Sequence, residues 1–150
     1  MDTGKKYPAP DILVYYQPRL CIRAAECVRG LPEVFDTSRK PWIAPQQASA
    51  QAIAEVIEHC PSGALQYERL DGGAQEPVLQ SASVRLVPDG PLYVRGPITL
   101  KDPEGNVIFR STRAALCRCG ASQNKPFCDN SHLQTGFQAP PGELDLGGEE

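Results

Sequence analysis

A short segment near the carboxy terminus constrains the fold more than any other part of the chain. Residues 117–132 contain three cysteines and one histidine, Cys117, Cys119, Cys128 and His132, among Gly, Asn and Pro residues. A segment of this length and polarity cannot bury a hydrophobic core of its own. It therefore needs a metal centre to fold.

The spacing of these donors favours a centre that holds two metals. Cys117 and Cys119 are separated by one residue, so both side chains project from the same side of an extended chain and can bind one metal. Cys128 and His132 can then bind another. Zinc sites more often use two cysteines separated by two to four residues, so the set indicates a 2Fe-2S cluster.

The segment also resembles the signature of the CDGSH iron-sulfur proteins, the NEET family. The match covers the four donors together with Ser122, Pro126 and Asp129. The resemblance implies that the first two cysteines hold the inner iron of a 2Fe-2S cluster, and that the third cysteine and the histidine hold the outer iron. Asn130 stands where the family has Gly, and Asn is the substitute least penalised in the left-handed conformation.

Three further cysteines lie in the first half of the chain, Cys21, Cys27 and Cys60, and Pro61 follows the last of them. The spacing resembles the cysteine run of bacterial ferredoxins, with Ala24 at the position of the middle cysteine. Three thiolates bind three irons, so a 3Fe-4S cluster is the direct expectation. A 4Fe-4S cluster requires water or another non-cysteine group at the fourth iron.

Residues 11–69 resemble the divergent mono-cluster ferredoxin domain, and also the three-iron ferredoxins with the spacing Cys-x2-Ala-x2-Cys that serve cytochromes P450. An alternative interpretation is that the cysteines are structural, because a free Cys packs as a small hydrophobic residue and Cys60 falls on an apolar helical face. His59 is expected to be a helix-end residue, not a ligand, because its charge would favour a helix carboxy terminus.

The sequence predicts an α+β chain in which a small ferredoxin-like module precedes a β-rich CDGSH iron-sulfur module. We expect an amino-terminal extension at 1–10, the ferredoxin-like domain at 11–70, a linker at 71–82, the CDGSH domain at 83–138 and a disordered acidic tail at 139–150. The Gly and Pro residues between 71 and 77 mark the boundary between the two modules.

Hydrophobic periodicity predicts the main elements of both modules. In the first, Ile12–Tyr16 reads as a strand and Leu65–Tyr67 as a returning strand, and between them Ser49 is the expected N-cap of a helix whose apolar positions are Ile53, Val56, Ile57 and Cys60. From Ser83 onward, apolar residues alternate with polar ones between turn signals. That pattern predicts a small antiparallel sheet.

Charge and composition exclude several functions. The 15 Lys and Arg residues are interspersed with 18 Asp and Glu, for a formal charge of −3, so no basic field exists that would bind nucleic acid. No apolar run is long enough to span a membrane. Since no secretory signal is apparent, we expect a cytoplasmic protein whose six cysteines bind metal instead of forming disulfides.

One-electron transfer is the function that the two cysteine sets predict. The sequence has no nucleophile with a base, phosphate loop or substrate-pocket signature, so we expect a non-enzyme that needs a redox partner protein. The NEET resemblance suggests a homodimer formed through strands. Two alternatives remain open: a donor of a labile cluster or sensor of redox state or pH, and a zinc-binding structural module.

Overall fold

The computed structural model describes residues 4–139 and shows a mixed α+β chain with two small antiparallel sheets. The first sheet has the strand order β1-β2-β3, with β1 at Lys5–Pro8, β2 at Ile12–Tyr16 and β3 at Leu65–Arg69. The second has the order β4-β5-β6, with β4 at Ser83–Leu86, β5 at Leu92–Lys101 and β6 at Val107–Leu116.

Three short α-helices complete the fold of residues 4–139. They are α1 at Glu26–Gly30, α2 at Ala50–Ile57 and α3 at Ser131–Thr135. As predicted, Ser49 caps α2, and its hydroxyl accepts the backbone N–H of Ala52 at 3.1 Å. In the described part of the chain, no helix is long and apolar enough to cross a membrane.

The core of the first module lies between its sheet and α2. Ile12 and Val14 alternate along β2 toward the inside, and Ile53 and Ile57 lie on the facing side of α2. Phe35 is completely buried between them. Because β1 pairs with β2, this sheet begins at Lys5, within the stretch that was predicted as an extension.

The helix that was expected to carry Cys60 is shorter than predicted. It ends at Ile57, and the next two backbone bonds, His59 N to Val56 O and Cys60 N to Ile57 O, span three residues instead of four. A proline disfavours helical geometry in the residue before it, so Pro61 explains why the chain leaves the helix. Cys60 therefore lies in the turn after α2, not on the helix.

The second sheet is built around the long hairpin of β5 and β6, whose register shifts between Arg95 and Ile98 and again between Leu100 and Lys101. Asp102 forms the turn of this hairpin by accepting the backbone N–H groups of Glu104 and Asn106. The acidic tail predicted from residue 139 onward lies, apart from Ala139, outside the described residues.

Buried hydrogen bonds and an ion pair join the two modules. Arg113 on β6 is 1% exposed and inserts its guanidinium into the first module, where it donates to the carbonyls of Ile57, Cys60 and Leu65. Glu76, from the segment that joins the modules, neutralises it at 3.0 Å. The positive φ of Gly63 serves the same junction, because a Cβ there would overlap the carbonyl oxygen of Arg113.

Candidate metal centres

The three cysteines of the first set come from three different parts of the first module. Cys21 follows the 3-10 turn at Pro18–Leu20, Cys27 lies in α1 and Cys60 follows α2. All three are free thiols that line one cavity, which Trp42 and Leu65 help to close. The structure thus brings together residues that are up to 39 positions apart in the sequence.

The loop between Cys21 and Cys27 is shaped to hold thiolates. Arg23 and Ala25 have positive φ values of 57° and 66°, although neither is glycine, and this turns the N–H of Arg23 toward Cys21 Sγ at 3.4 Å. Burial raises the pKa of Cys27 to about 11, with a smaller contribution from Cys60. Without a metal this thiol is protonated at neutral pH, so a bound cation would displace its proton.

Ala24 lines the same cavity as the three cysteines. The prediction that Ala24 takes the place of a fourth cysteine stays a prediction, and its place in the lining of this cavity is consistent with it. Ala24 also packs against the buried cluster formed by Ile22, Ala115 and Cys128, so this loop contacts both cysteine sets.

The second set lies at the end of β6 and in the loop that follows it. The donors form two pairs: Cys117 Sγ is 3.9 Å from Cys119 Sγ, and Cys128 Sγ is 3.8 Å from Nδ1 of His132. Within residues 4–139, no three His, Cys, Asp or Glu side chains are grouped as a single metal ion would require. The pairs match the two-and-two division expected from the spacing, with His132 on the first turn of α3.

Backbone N–H groups point at the sulfurs of the second set. Gly120 N lies 3.3 Å from Cys117 Sγ, and Ala121 N lies 3.4 Å from Cys119 Sγ. Burial raises the pKa of Cys117, but N–H groups, those of Ser122 and Gly120 foremost, outweigh it, and the net shift is downward. Donors of this kind stabilise a thiolate, which is the form that binds metal.

The ligand loop is held by side-chain hydrogen bonds. Ser122 is buried and donates to the carbonyl of Phe127 at 2.6 Å. The Asp129 carboxylate accepts the N–H groups of Gln123 and Ser131 and the hydroxyl of Ser131, and these bonds lower the pKa of Asp129. Ser122 and Asp129 therefore position the loop that carries Cys128.

Asn130 has a role that its position in the sequence motif does not indicate. Its φ of 70° is left-handed, as expected for a residue that replaces Gly. Its side-chain amide donates to the carbonyl of Ile22 at 2.8 Å, across 108 residues. A second amide, Asn124 Nδ2, donates to the carbonyl of Arg19 at 2.7 Å. The loop of the second set is therefore tied to the loop that carries Cys21.

The sequence predicted the position of His59 but not the role of Arg113. His59 is exposed, and Nδ1 of its ring lies 2.7 Å from the carbonyl of Glu55, which agrees with a helix-end role. Arg113, by contrast, resembles any other arginine of the sequence, and no local pattern identifies it as the residue that joins the modules. Its burial and its partners on α2 and β3 are known only from the fold.

Both donor sets fit iron-sulfur clusters. The first set offers three thiols around one cavity, which suits a cluster that takes one thiolate for each iron. The second offers one thiol pair and one mixed pair of thiol and imidazole, which suits two irons.

Comparisons with known proteins agree with this division of the chain. Residues 7–70 match the divergent 4Fe-4S mono-cluster family, and residues 89–133 match the iron-binding zinc finger of the CDGSH type. Two curated relatives, both named uncharacterized protein YjdI, come from Escherichia coli strain K12 and Escherichia coli O157:H7. Each is 41% identical to this chain over 68 residues, which is 45% of this chain and 90% of the relative.

Proposed function

The chain belongs to the divergent 4Fe-4S mono-cluster family and carries a second iron-binding domain of the CDGSH type, and from this premise we propose that it is a two-centre carrier of single electrons. It is an iron-sulfur protein. The proposed centres are a 3Fe-4S cluster at Cys21, Cys27 and Cys60, with a 4Fe-4S cluster as the alternative, and a 2Fe-2S cluster at Cys117, Cys119, Cys128 and His132.

The observation that supports this function best is the contact between the two ligand loops. Ile22, the neighbour of Cys21, is 8% exposed and packs against Cys128, which is 4% exposed. The hydrogen bond from the Asn130 side chain to the carbonyl of Ile22 ties the two loops together. Cys128 of the second set therefore lies in a buried contact with Ile22, the chain neighbour of Cys21 in the first set.

Tyr93 on β5 occupies the same contact. It packs against the cluster of Ile22, Ala115 and Cys128. Burial raises the pKa of Tyr93, and Cys128, which belongs to the cluster that the ring packs against, raises it further. Tyr93 and Ala24, both half-buried, therefore pack on the contact between the two loops.

When bound, iron-sulfur clusters accept and release one electron at a time. The residues of this chain would hold the two clusters on loops that contact each other through Ile22, Cys128 and Asn130. We propose that an external one-electron redox protein reduces one centre, which gains one electron as that protein loses one, and that the electron then passes to the other centre. No residue of the chain is required to change its covalent structure.

Rapid kinetics on the loaded full chain tests this relay. Photoreduction supplies fewer than one electron per chain, and absorption spectra then follow how the electron distributes between the centres. We expect a second phase in which one centre is reoxidised as the other is reduced, with a rate that does not depend on protein concentration. A rate proportional to protein concentration would mean transfer between molecules and would refute the relay.

The matched control is Cys119→Ser, which removes one thiol of the second set and leaves the first set intact. This variant should retain the spectrum of the first centre and lose the redistribution phase. If the phase persisted in a variant shown by iron analysis to lack the second centre, it would have another origin.

A further inference from the structure

A wide groove of about 1,070 Å³ opens beside the first cysteine set. Cys21 and Cys27 form part of its wall, and the aromatic rings of Tyr16 and Trp42 line it as well. The groove therefore leads from the protein surface to two of the three thiols of the first set. Neither the motifs of the sequence nor the proposed relay between the centres uses it.

The groove is positively charged in a chain that is negative overall. Four cationic residues line it, Lys5, Arg23, Arg39 and Lys40, and no carboxylate among residues 4–139 does, whereas the whole chain has a formal charge of −3. Lys5, Arg23 and Lys40 are exposed. Among the described residues, no salt bridge joins any of these three to an acidic side chain.

Arg39 differs from the other three cations. It donates to the backbone carbonyls of Val34 and Pro41, at 2.8 and 3.3 Å. Hydrogen bonds from Ser38 lower the pKa of the neighbouring Asp36, and the charge of Arg39 adds to that shift. Arg39 therefore holds the loop that presents Lys40 and Trp42 to the groove. The three exposed cations remain available to a partner.

We propose that this groove is the docking site for the acidic face of the one-electron redox protein that serves the chain; the inference rests on the proposed function. Exposed cations on an open surface steer an oppositely charged protein into place, and aromatic side chains such as Trp42 are favoured in the contacts that follow. Small-molecule sites instead enclose their ligand and aim a few polar groups at it. Docking here would bring the partner next to Cys21 and Cys27.

Calorimetric titration tests the proposal with a bacterial flavodoxin as an acidic probe and cytochrome c as a basic probe. The loaded full chain and both probes are kept oxidised, so that binding is measured without electron transfer. We expect the flavodoxin to bind at low ionic strength, to weaken as salt is added, and to bind far more tightly than cytochrome c. The absence of flavodoxin binding at low salt would overturn the proposal.

The decisive variant reverses two of the exposed cations, Lys5→Glu with Lys40→Glu. The matched control is Lys101→Glu with Arg110→Glu, which changes the net charge equally at two exposed positions of the β5-β6 hairpin. We expect the groove variant to weaken flavodoxin binding roughly tenfold or more, and the control to change it far less. Equal losses in both variants would show that only the total charge matters, which would overturn the proposal.

Free FMN gives a further arm of the experiment. If FMN alone bound with an affinity that the groove variant abolished, the groove would be a small-anion site and the docking proposal would fail. The two proposals also fail separately. If the chain binds flavodoxin through Lys5 and Lys40 but shows no redistribution of electrons, only the relay is refuted. If it redistributes electrons but its binding does not depend on those lysines, only the docking site is refuted.

Discussion

At the scale of single residues, Ala24 limits the number of thiolates in the first centre. It lies between Cys21 and Cys27 in the sequence and lines the cavity that these cysteines share with Cys60. The family is described as carrying a 4Fe-4S cluster, yet this half of the chain supplies only three cysteines. Position 24 is therefore the position at which a fourth thiolate would distinguish the proposed three-iron centre from the four-iron alternative.

We predict that Ala24→Cys converts the first centre to a stable 4Fe-4S form, because the new thiolate would complete ferredoxin spacing. Iron content should rise by about one per chain, and the EPR signal of the oxidised protein should disappear. Ala24→Ser is the matched control, with a weaker oxygen donor of similar size. Unchanged iron content and spectra in the cysteine variant would contradict the placement of the missing ligand at residue 24.

A second residue-scale prediction concerns His132, whose Nδ1 lies beside Cys128 Sγ. Replacing a neutral imidazole with an anionic thiolate stabilises the oxidised form of a cluster, so His132→Cys should lower the reduction potential of the second centre by on the order of 100 mV. Protons compete with metal for imidazole nitrogen, so the variant should also lose its colour more slowly near pH 5.

Redox titration and the rate of bleaching measure these two effects of His132→Cys. The matched control is His59→Cys, which changes the other histidine of the chain at an exposed position outside both donor sets. An unshifted potential together with unchanged bleaching would exclude His132 as a ligand.

At the scale of elements, β6 does two things at once. The strand ends directly before Cys117 of the second set. Its buried Arg113 donates to the backbone carbonyls of Ile57 at the end of α2, Cys60 in the turn after it and Leu65 at the start of β3. One of those carbonyls belongs to Cys60, a residue of the first set. The strand therefore connects the second set, through Cys117, to the first set, through the hydrogen bond from Arg113 to Cys60.

We predict that Arg113→Met destabilises the whole chain by about 3–5 kcal/mol, because it leaves the Glu76 carboxylate and three carbonyl groups without their buried partner. Urea unfolding of the loaded protein measures the loss. Arg110→Met on the same strand is the matched control, since that side chain is exposed and should change stability by less than about 0.5 kcal/mol. Similar losses in both variants would mean that the Arg113 network contributes little.

At the scale of the whole molecule, the two modules behave as one structure because charged, polar and apolar contacts all cross between them. Arg113, Asn124 and Asn130 are among the residues that make polar contacts, and Ile22 and Ala24 make apolar ones. Two small modules of this size bury little apolar surface individually. Their mutual contact and the metal centres together supply the stability that neither core provides.

The corresponding prediction concerns metal content. The anaerobically purified chain should be red-brown and hold about five irons, three at the first set and two at the second. A 3Fe-4S centre has an odd number of unpaired electrons when oxidised, so an EPR signal should appear without added reductant. A silent oxidised spectrum with about six irons would favour the 4Fe-4S alternative, and iron near two with residual zinc would exclude the cluster at the first set.

Local chemistry explains what could be predicted from the sequence. The strand at Ile12–Tyr16 and the start of α2 after Ser49 follow from periodicity and capping, which act within a few residues. The pairing of Cys117 with Cys119, and of Cys128 with His132, likewise follows from spacings of two and four residues. The sequence alone therefore predicted the pairing within the second set and the strand and helix start of the first module, but not the elements that carry Cys27 and Cys60.

Only the tertiary structure decided how the two donor sets are related. The contact between Asn130 and Ile22 spans 108 residues, and that between Arg113 and Cys60 spans 53. The groove likewise draws its cations from β1, from the loop at Arg23 and from the loop around Lys40. Neither periodicity nor motif spacing carries information over such separations, because they describe neighbours along the chain. Packing of the two modules brings the loops of the two donor sets together, and folding of the first module alone gathers the cations of the groove beside the first set.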